Sequence, residues 1–227
     1  RRVRALSEAG DDDFARSKLS LVTTIDTDSF AIELIEEAKR VGHKETKPHH
    51  TLLCMRERTR KRGTDEEKAP FFLCCDISML HGLLQRAMWG LDRSPSPIDQ
   101  HAAITLMAAG WSMCGSDFLE LKGMRSDLVF DSMPVVVKTI PDALESIKFC
   151  LTGQRGDMLK THEAIRALAM TCASKLMDIP RIKKTAVPSI RNPDDMIVKR
   201  AAWTSAYWNS IEHKGDMEDF GFYKTFG

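Results

Sequence analysis

The sequence contains no hydrophobic run long enough to cross a membrane. No stretch of its 227 residues approaches the ~18 consecutive apolar residues that a transmembrane helix requires. A secretory hydrophobic region near Arg1 is also missing. We therefore expect an intracellular protein, nuclear or cytoplasmic, that has no membrane partner.

The chain also lacks a strong charge of either sign. Its formal net charge is only +1, so no global electrostatic field draws it to nucleic acid, and any such attraction must be local. Internal repeats and low-complexity tracts are absent. A hydrophobic content of 43% is sufficient for a core, and 29% charged residues is ordinary for a water-soluble chain.

The six cysteines include no C-x-x-C pair, which argues against a structural zinc site. All six lie within apolar stretches. This placement is typical of buried, reduced thiols in a cytosolic or nuclear protein. The adjacent histidines His49 and His50 have no neighbouring Cys or carboxylate in the sequence and are more simply interpreted as loop residues than as metal ligands.

A buried strand that ends in two carboxylates is the most distinctive pattern that is present. Leu21 and Val22 are apolar, and β-branched residues carry the strand on to Asp26 and Asp28. Carboxylates at positions i and i+2 share one face of a continuing strand and repel each other unless a cation joins them. The pair indicates either a divalent metal site at a strand end or an Asx turn that closes the strand.

Two further acidic clusters lie beside apolar segments. Glu8 and the run 11–13 precede the strand, and Asp117 follows an apolar helix predicted from His101 to Met113. Magnesium prefers oxygen ligands and usually keeps several waters, so a few carboxylates from separate segments can hold one or two ions. Paired metals can activate a water molecule and stabilise the leaving oxygen in phosphodiester hydrolysis.

Taken in order, these motifs resemble the flap endonuclease and Rad2-type 5′ nuclease family of the PIN-like superfamily. Val22-Thr-Thr-Ile-Asp-Thr-Asp28 is similar to the family's V-x-T-x-D-x-D segment, and Ser7-Glu-Ala with its following acids to the S-E-A-E or E-A-D-D segment. Cys114-Gly-Ser-Asp117 is similar to the G-C/S-D-Y segment. Leu53-Cys-Met-Arg and Pro70-Phe-Phe-Leu look like the strand pair between them. The matches span roughly residues 7 to 135.

The resemblance implies a fold and an activity. The fold would be α/β, with a PIN-like (Rossmann-like) core and a mainly parallel sheet over residues 1–118, followed by an α-helical domain over 119–227. The activity would be metal-dependent, structure-specific nuclease cleavage, with DNA rather than RNA as the expected substrate and two Mg²⁺ or Mn²⁺ ions as cofactors. Asp26, Asp28 and Asp117 would be catalytic. The metal ligands would be Glu8, Asp11, Asp12, Asp26, Asp28 and Asp117.

The family motif also implies a nucleic-acid-binding turn after Asp117. Lys122, Gly123 and Arg125 would hold the uncleaved duplex at the start of a helix-two-turn-helix. The second glycine of the family's G-I-G turn is replaced in Gly123-Met124-Arg125, and a non-glycine residue is strained there if φ is positive.

The family's first strand, with its metal-binding Asp, has no counterpart in a chain that begins at Arg1. We expect a missing N-terminal segment or a protein partner to complete the site. Two alternatives remain open. One is a catalytically inactive nucleic-acid-binding or scaffold protein, and the other is an unrelated helical interaction module.

A basic segment separates the two central strands. It includes Arg58, Arg60, Lys61 and Arg62, and three acids follow before Pro70. Basic clusters neutralise the nucleic-acid backbone, which favours a phosphate-contacting loop. A solvated hairpin tip with self-compensating charge explains the pattern equally well.

Periodicity predicts the remaining elements. Helices are expected at 30–41, with Ala31, Leu34, Ile35 and Ala38 on one apolar stripe, and at 80–91, 157–177 and 195–211, with another starting at Pro141. Strands are expected at 51–55 and 71–75, with Asp76 capping the next helix. Arg93–Ile98 is predicted to be a linker-like break. Trp203, Tyr207 and Trp208 form an aromatic stripe that is more typical of a core than of a base-stacking surface.

Overall fold

The chain divides into two compact units, Arg1–Leu84 and Gln85–Gly227. The computed structural model describes residues 2–5, 18–24, 28–42, 49–56, 72–116, 119–152, 161–180 and 184–210. The unit boundary falls within helix α2 (Ile77–Trp89). The domain boundary at 118/119 that the resemblance implies stays a prediction.

The first unit contains a four-stranded sheet in the order β1-β2-β3-β4. Its strands are β1 (Arg2–Ala5), β2 (Lys18–Thr24), β3 (His49–Arg56) and β4 (Phe72–Asp76). β2 pairs with β3 in parallel, whereas β1 with β2 and β3 with β4 are antiparallel. Helix α1 (Asp28–Gly42) connects the two parallel strands.

The apolar stripe predicted for α1 is confirmed. Ala31, Leu34, Ile35 and Ala38 are each at most 1% exposed. Residues spaced by three and four positions lie on one face of a helix, so burying this stripe attaches the helix to its unit. Acidic Asp28 in the first turn and basic Arg40 in the last both complement the helix dipole.

The prediction of a Rossmann-like core with a mainly parallel sheet is wrong. Only one of the three strand pairings in the four-stranded sheet is parallel, and helices make up most of the described residues. The physical reason is that an apolar strand pattern does not specify the direction of its partner. β4 follows β3 in the chain and pairs with it in the opposite direction.

The second unit is built around helix α3 (Pro97–Ser112). All residues from Ala102 to Gly110 are buried, and a helix that is apolar all round must be surrounded by protein. The helices packed against it are α4 (Ser126–Thr139), α5 (Pro141–Leu151), α6 (His162–Asp178) and α8 (Asp195–Trp208). A short 3₁₀ turn (Lys184–Ala186) leads into α7 (Val187–Arg191), which packs on α6.

A two-stranded antiparallel ribbon follows α3. It consists of β5 (Cys114–Ser116) and β6 (Leu119–Glu120). The family resemblance placed this segment, which follows α3, in the same PIN-like core as β2 and β3. Within the described part of the chain, the four-stranded sheet consists of β1 to β4, and β5 pairs with β6.

The predicted break at Arg93–Ile98 is partly wrong, because α3 begins inside it. Ser96 is the N-cap, and its side chain and that of Asp99 form a reciprocal capping box. Pro97 occupies the first turn, where a missing backbone N–H costs nothing. Nζ of Lys148 in α5 lies 2.8 Å from Oδ1 of Asp99, and this ion pair joins α5 to α3. Burial alone would raise the pKa of Asp99, but hydrogen bonds from Lys148 and Ser96 outweigh it and lower that pKa.

His49 and His50, predicted to be loop residues, instead begin strand β3, whereas α5, α6 and α8 agree with the predicted helices. Pro141 begins α5 as expected, and Asp194 caps α8 by accepting a hydrogen bond from the backbone N–H of Met196 at 2.8 Å. The helix predicted over 157–177 is described from His162 to Asp178, with 153–160 outside the described residues. None of the described helices is long and apolar enough to span a bilayer.

Candidate functional site

The segments that carry the predicted acids and bases leave the sheet at the same edge. Thr24, the last residue of β2, is paired with Met55 in the parallel strand β3. The chain therefore enters the Asp26 segment and the basic segment after Arg56 from adjacent strand ends. Phe72 is paired with Arg56, so the connection over 57–71, which includes the basic residues, begins and ends at this edge. Asp26, Arg58, Arg60, Lys61 and Arg62 themselves lie outside the described residues.

Asp28 is the predicted catalytic acid that the structure describes. It occupies the first turn of α1, where the positive end of the helix dipole favours a carboxylate. Its side chain is half-buried and has an interaction partner. Beside it, the Ser29 hydroxyl donates a hydrogen bond to Thr24 Oγ1 at 2.9 Å. This bond holds the helix start against the end of β2.

The other predicted metal ligands, Glu8, Asp11, Asp12, Asp26 and Asp117, lie outside the described residues. Asp28 belongs to the first unit, and Ser116, the neighbour of position 117, belongs to the second. Within the described ranges, no group of three or more His, Cys, Asp or Glu side chains is placed to hold a metal. The predicted donors are all carboxylates, which matches the oxygen preference of Mg²⁺.

The turn predicted to bind a duplex has a structural role of its own. Gly123 has φ +87°, and a Cβ built there would lie 2.4 Å from Cβ of Ala186. Glycine is therefore required both for the backbone conformation and for the close approach of the 3₁₀ turn. Lys122 is exposed beside it.

Arg125, the other predicted duplex contact, already has an anionic partner. Its Nε donates a hydrogen bond to Asp127 Oδ1 at 2.9 Å, and a second guanidinium nitrogen pairs with Oδ2. A phosphate would have to compete with this carboxylate. Asp127 and Asp131 are both exposed on α4.

The predicted capping role of Asp76 is confirmed. Its Oδ1 accepts a hydrogen bond from the backbone N–H of Met79 at 3.0 Å, at the start of α2. Its Oδ2 lies 3.4 Å from Nδ1 of His50. Asp76 is thus the spatial partner of His50 that the sequence did not reveal.

A buried ionic group between α1 and α2 was not predicted. Glu37 is 5% exposed and forms a two-point ion pair with Arg40, one of whose bonds is 3.0 Å long. His81 of α2 is 4% exposed. Burial lowers its pKa, with opposing effects from Glu37, which raises it, and Arg40, which lowers it. The sequence contained one signal for this group: Glu33 and Glu37 lie four positions apart, next to the buried apolar stripe of α1.

The prediction of six reduced thiols is wrong for one pair. Cys54 and Cys74 form a disulfide, with their Cα atoms 4.2 Å apart. They are register partners in the β3–β4 hairpin, and this pairing is visible in the sequence only after the hairpin is recognised. Burial is the main reason that the pKa of Cys114 rises to about 12 and that of Cys172 to about 11. These two thiols are therefore unsuited to nucleophilic catalysis.

The aromatic stripe of α8 is divided between the core and the surface. Trp208 is 9% exposed, as a core residue should be, whereas Tyr207 is 64% exposed. The core interpretation is therefore right for Trp208 and wrong for Tyr207. Adjacent residues on a helix point about 100° apart, which places the two rings on different faces.

Comparisons with protein-family models, with curated proteins and with solved structures found no match to this chain.

Proposed function

We propose that the protein is a metal-dependent nuclease that cleaves phosphodiester bonds in nucleic acid, in the manner of the flap endonucleases that its motifs resemble. The observation that supports this most directly is the common sheet edge. The Asp26–Asp28 segment and the basic segment over 57–62 begin at the paired strand ends Thr24 and Met55–Arg56. Ligands commonly gather at the carboxyl ends of parallel strands.

The two segments would supply complementary chemistry. Asp26 and Asp28 would hold a divalent cation, which when bound activates water for attack on phosphorus. Arg58, Arg60, Lys61 and Arg62 would neutralise the phosphate backbone next to that position. Their combined effect would be to bring a scissile phosphate to the carboxylates without requiring a strongly basic protein.

A nuclease assay with the full chain tests the proposal. The substrates are fluorescently labelled flap DNA and blunt duplex DNA, each incubated with millimolar Mg²⁺ or with EDTA. We expect cleavage that requires Mg²⁺. The double variant Asp26→Asn and Asp28→Asn should lose at least about 100-fold in rate, which is roughly 2.7 kcal/mol of transition-state stabilisation. Asp131→Asn, which removes an exposed carboxylate on α4, is the matched control and should cleave like the wild type.

The basic segment is tested separately by binding. Replacing Arg58, Arg60 and Arg62 with glutamine should weaken binding of the same DNA in EDTA. The slope of the logarithm of the binding constant against the logarithm of the salt concentration should become shallower by the equivalent of up to about three phosphate contacts. DNA binding without Mg²⁺-dependent cleavage would instead support the alternative of a catalytically inactive nucleic-acid-binding protein. If the protein neither binds nor cleaves the DNA, both functions are excluded.

A further inference from the structure

Helix α8 presents one face that the second unit does not bury. At helical spacing this face contains Met196, Lys199, Arg200, Trp203 and Tyr207, which are all partly or fully exposed. The opposite face packs into the unit through Val198, Ala201, Ala202, Thr204, Ser205, Ala206 and Trp208. We call the exposed set the α8 face. It is continuous over three helical turns.

Two aromatic rings on the α8 face are stacked. The ring centroids of Trp203 and Tyr207 are 5.3 Å apart, and their planes differ by 6°. Trp203 can cover only one side of the Tyr207 ring. Because the Tyr207 side chain is 64% exposed, its other side is open to a further planar group.

The charge on the α8 face is positive. Lys199 and Arg200 lie one turn before Trp203, on either side of it. The helix contains no acidic residue after Asp195, and Asp195 is itself paired with Arg166 of α6. Among the described residues, no ion pair to Lys199 occurs.

We infer that the α8 face binds single-stranded nucleic acid, with a base stacked on Tyr207 and a backbone phosphate near Lys199. This inference rests on the proposed function and adds a second contact surface to it. Stacking of a base on an aromatic side chain is tolerant of sequence, and adjacent cations follow the backbone. The open ring and the ammonium group of Lys199, which has no ion pair among the described residues, favour this ligand over an apolar protein segment, which would bury Lys199 without compensation.

The test uses the full chain and a fluorescein-labelled dT₁₂ oligonucleotide in EDTA, with affinity measured by fluorescence anisotropy. Tyr207→Ala should weaken binding at least about fivefold, the equivalent of ~1 kcal/mol of stacking. Tyr207→Phe should retain the wild-type affinity because the ring remains. Lys199→Gln should weaken binding. It should also make the slope of the logarithm of the binding constant against the logarithm of the salt concentration shallower by the equivalent of about one phosphate contact.

Met170→Ala is the matched surface control, since Met170 is 54% exposed on another helix, α6. It should bind dT₁₂ like the wild type. Equal thermal unfolding midpoints for all variants would exclude loss of folding as the cause.

The possible results separate this inference from the proposed function. If Tyr207→Ala and Lys199→Gln bind dT₁₂ like the wild type while duplex cleavage persists, the α8 inference is overturned and the nuclease proposal stands. That is also the result expected if the face docks a protein. If the wild type neither binds dT₁₂ nor cleaves DNA, both are overturned. Weaker binding by both variants, with Met170→Ala unaffected, supports the inference.

Discussion

Gly110 lies where three helices leave no space for a side chain. A Cβ built on Gly110 in α3 would lie 2.8 Å from Cδ2 of Leu168 and 2.9 Å from Cγ1 of Val129. Both neighbours are fully buried in α6 and α4. The missing methyl group therefore allows the central helix to approach both partners at once.

We predict that Gly110→Ala destabilises the protein. Overpacking a core site costs about 1–3 kcal/mol, and the better helix propensity of alanine offsets only about 1 kcal/mol. Gly82→Ala in α2 is the matched control, because nothing lies within 4 Å of its added Cβ. It should be neutral or stabilising by up to about 1 kcal/mol. Urea denaturation measures both values, and equal stabilisation by the two variants would contradict the close packing.

His81 links the stability of the first unit to pH. Its pKa is lowered by burial, so below about pH 6.5 the unfolded chain binds a proton that the folded chain does not. The free energy of unfolding should therefore decrease as the pH falls from 7 to 5.5. His81→Phe should make this part of the pH profile flatter, and an unchanged slope would show that another group is responsible.

At the scale of elements, the β3–β4 hairpin is joined by a covalent bond next to the basic segment. The disulfide links Cys54 to Cys74, which are 20 residues apart in the chain and bracket the predicted phosphate-binding residues. A bond that closes a loop of this size typically stabilises a fold by about 2–4 kcal/mol. It also restricts where the ends of the basic segment can lie.

Thiol titration tests the disulfide directly. Of the six cysteines, Cys75, Cys114, Cys150 and Cys172 are not disulfide-bonded. The denatured, unreduced protein should therefore react with four equivalents of a thiol reagent, and the reduced protein with six. Six equivalents before reduction would show that both cysteines of the hairpin are thiols.

Among the elements, the sequence predicts the helices better than the pairing of the strands. The buried stripe of α1 and the all-round apolar pattern of α3 are local, and each helix was predicted close to its observed position. The direction of strand pairing is not local, and the mainly parallel sheet implied by the family resemblance is wrong because only one of the three pairings is parallel. Tyr207 and Trp208 differ by one position, and only the packing of α8 decides which of them is exposed.

At the scale of the whole molecule, the two units would have different tasks. In the first, the paired ends of β2 and β3 lead into the segments that contain Asp26 and the basic residues. The second is a helical unit that contains Lys199 and Tyr207. The sequence identified the acidic segments because carboxylates after a strand form a local pattern. It could not show which of them meet, because that depends on contacts between distant parts of the chain.

Binding of a divalent metal by the acids after β2 can be measured as Mn²⁺ binding, followed by electron paramagnetic resonance. The wild-type chain should bind Mn²⁺ with a stoichiometry of one or two ions. Asp26→Asn with Asp28→Asn should lose at least one of them. Asp131→Asn with Asp142→Asn, which neutralises two exposed carboxylates in the helical unit, should retain them all. Equal Mn²⁺ binding by both double variants, or none by the wild type, would contradict the account.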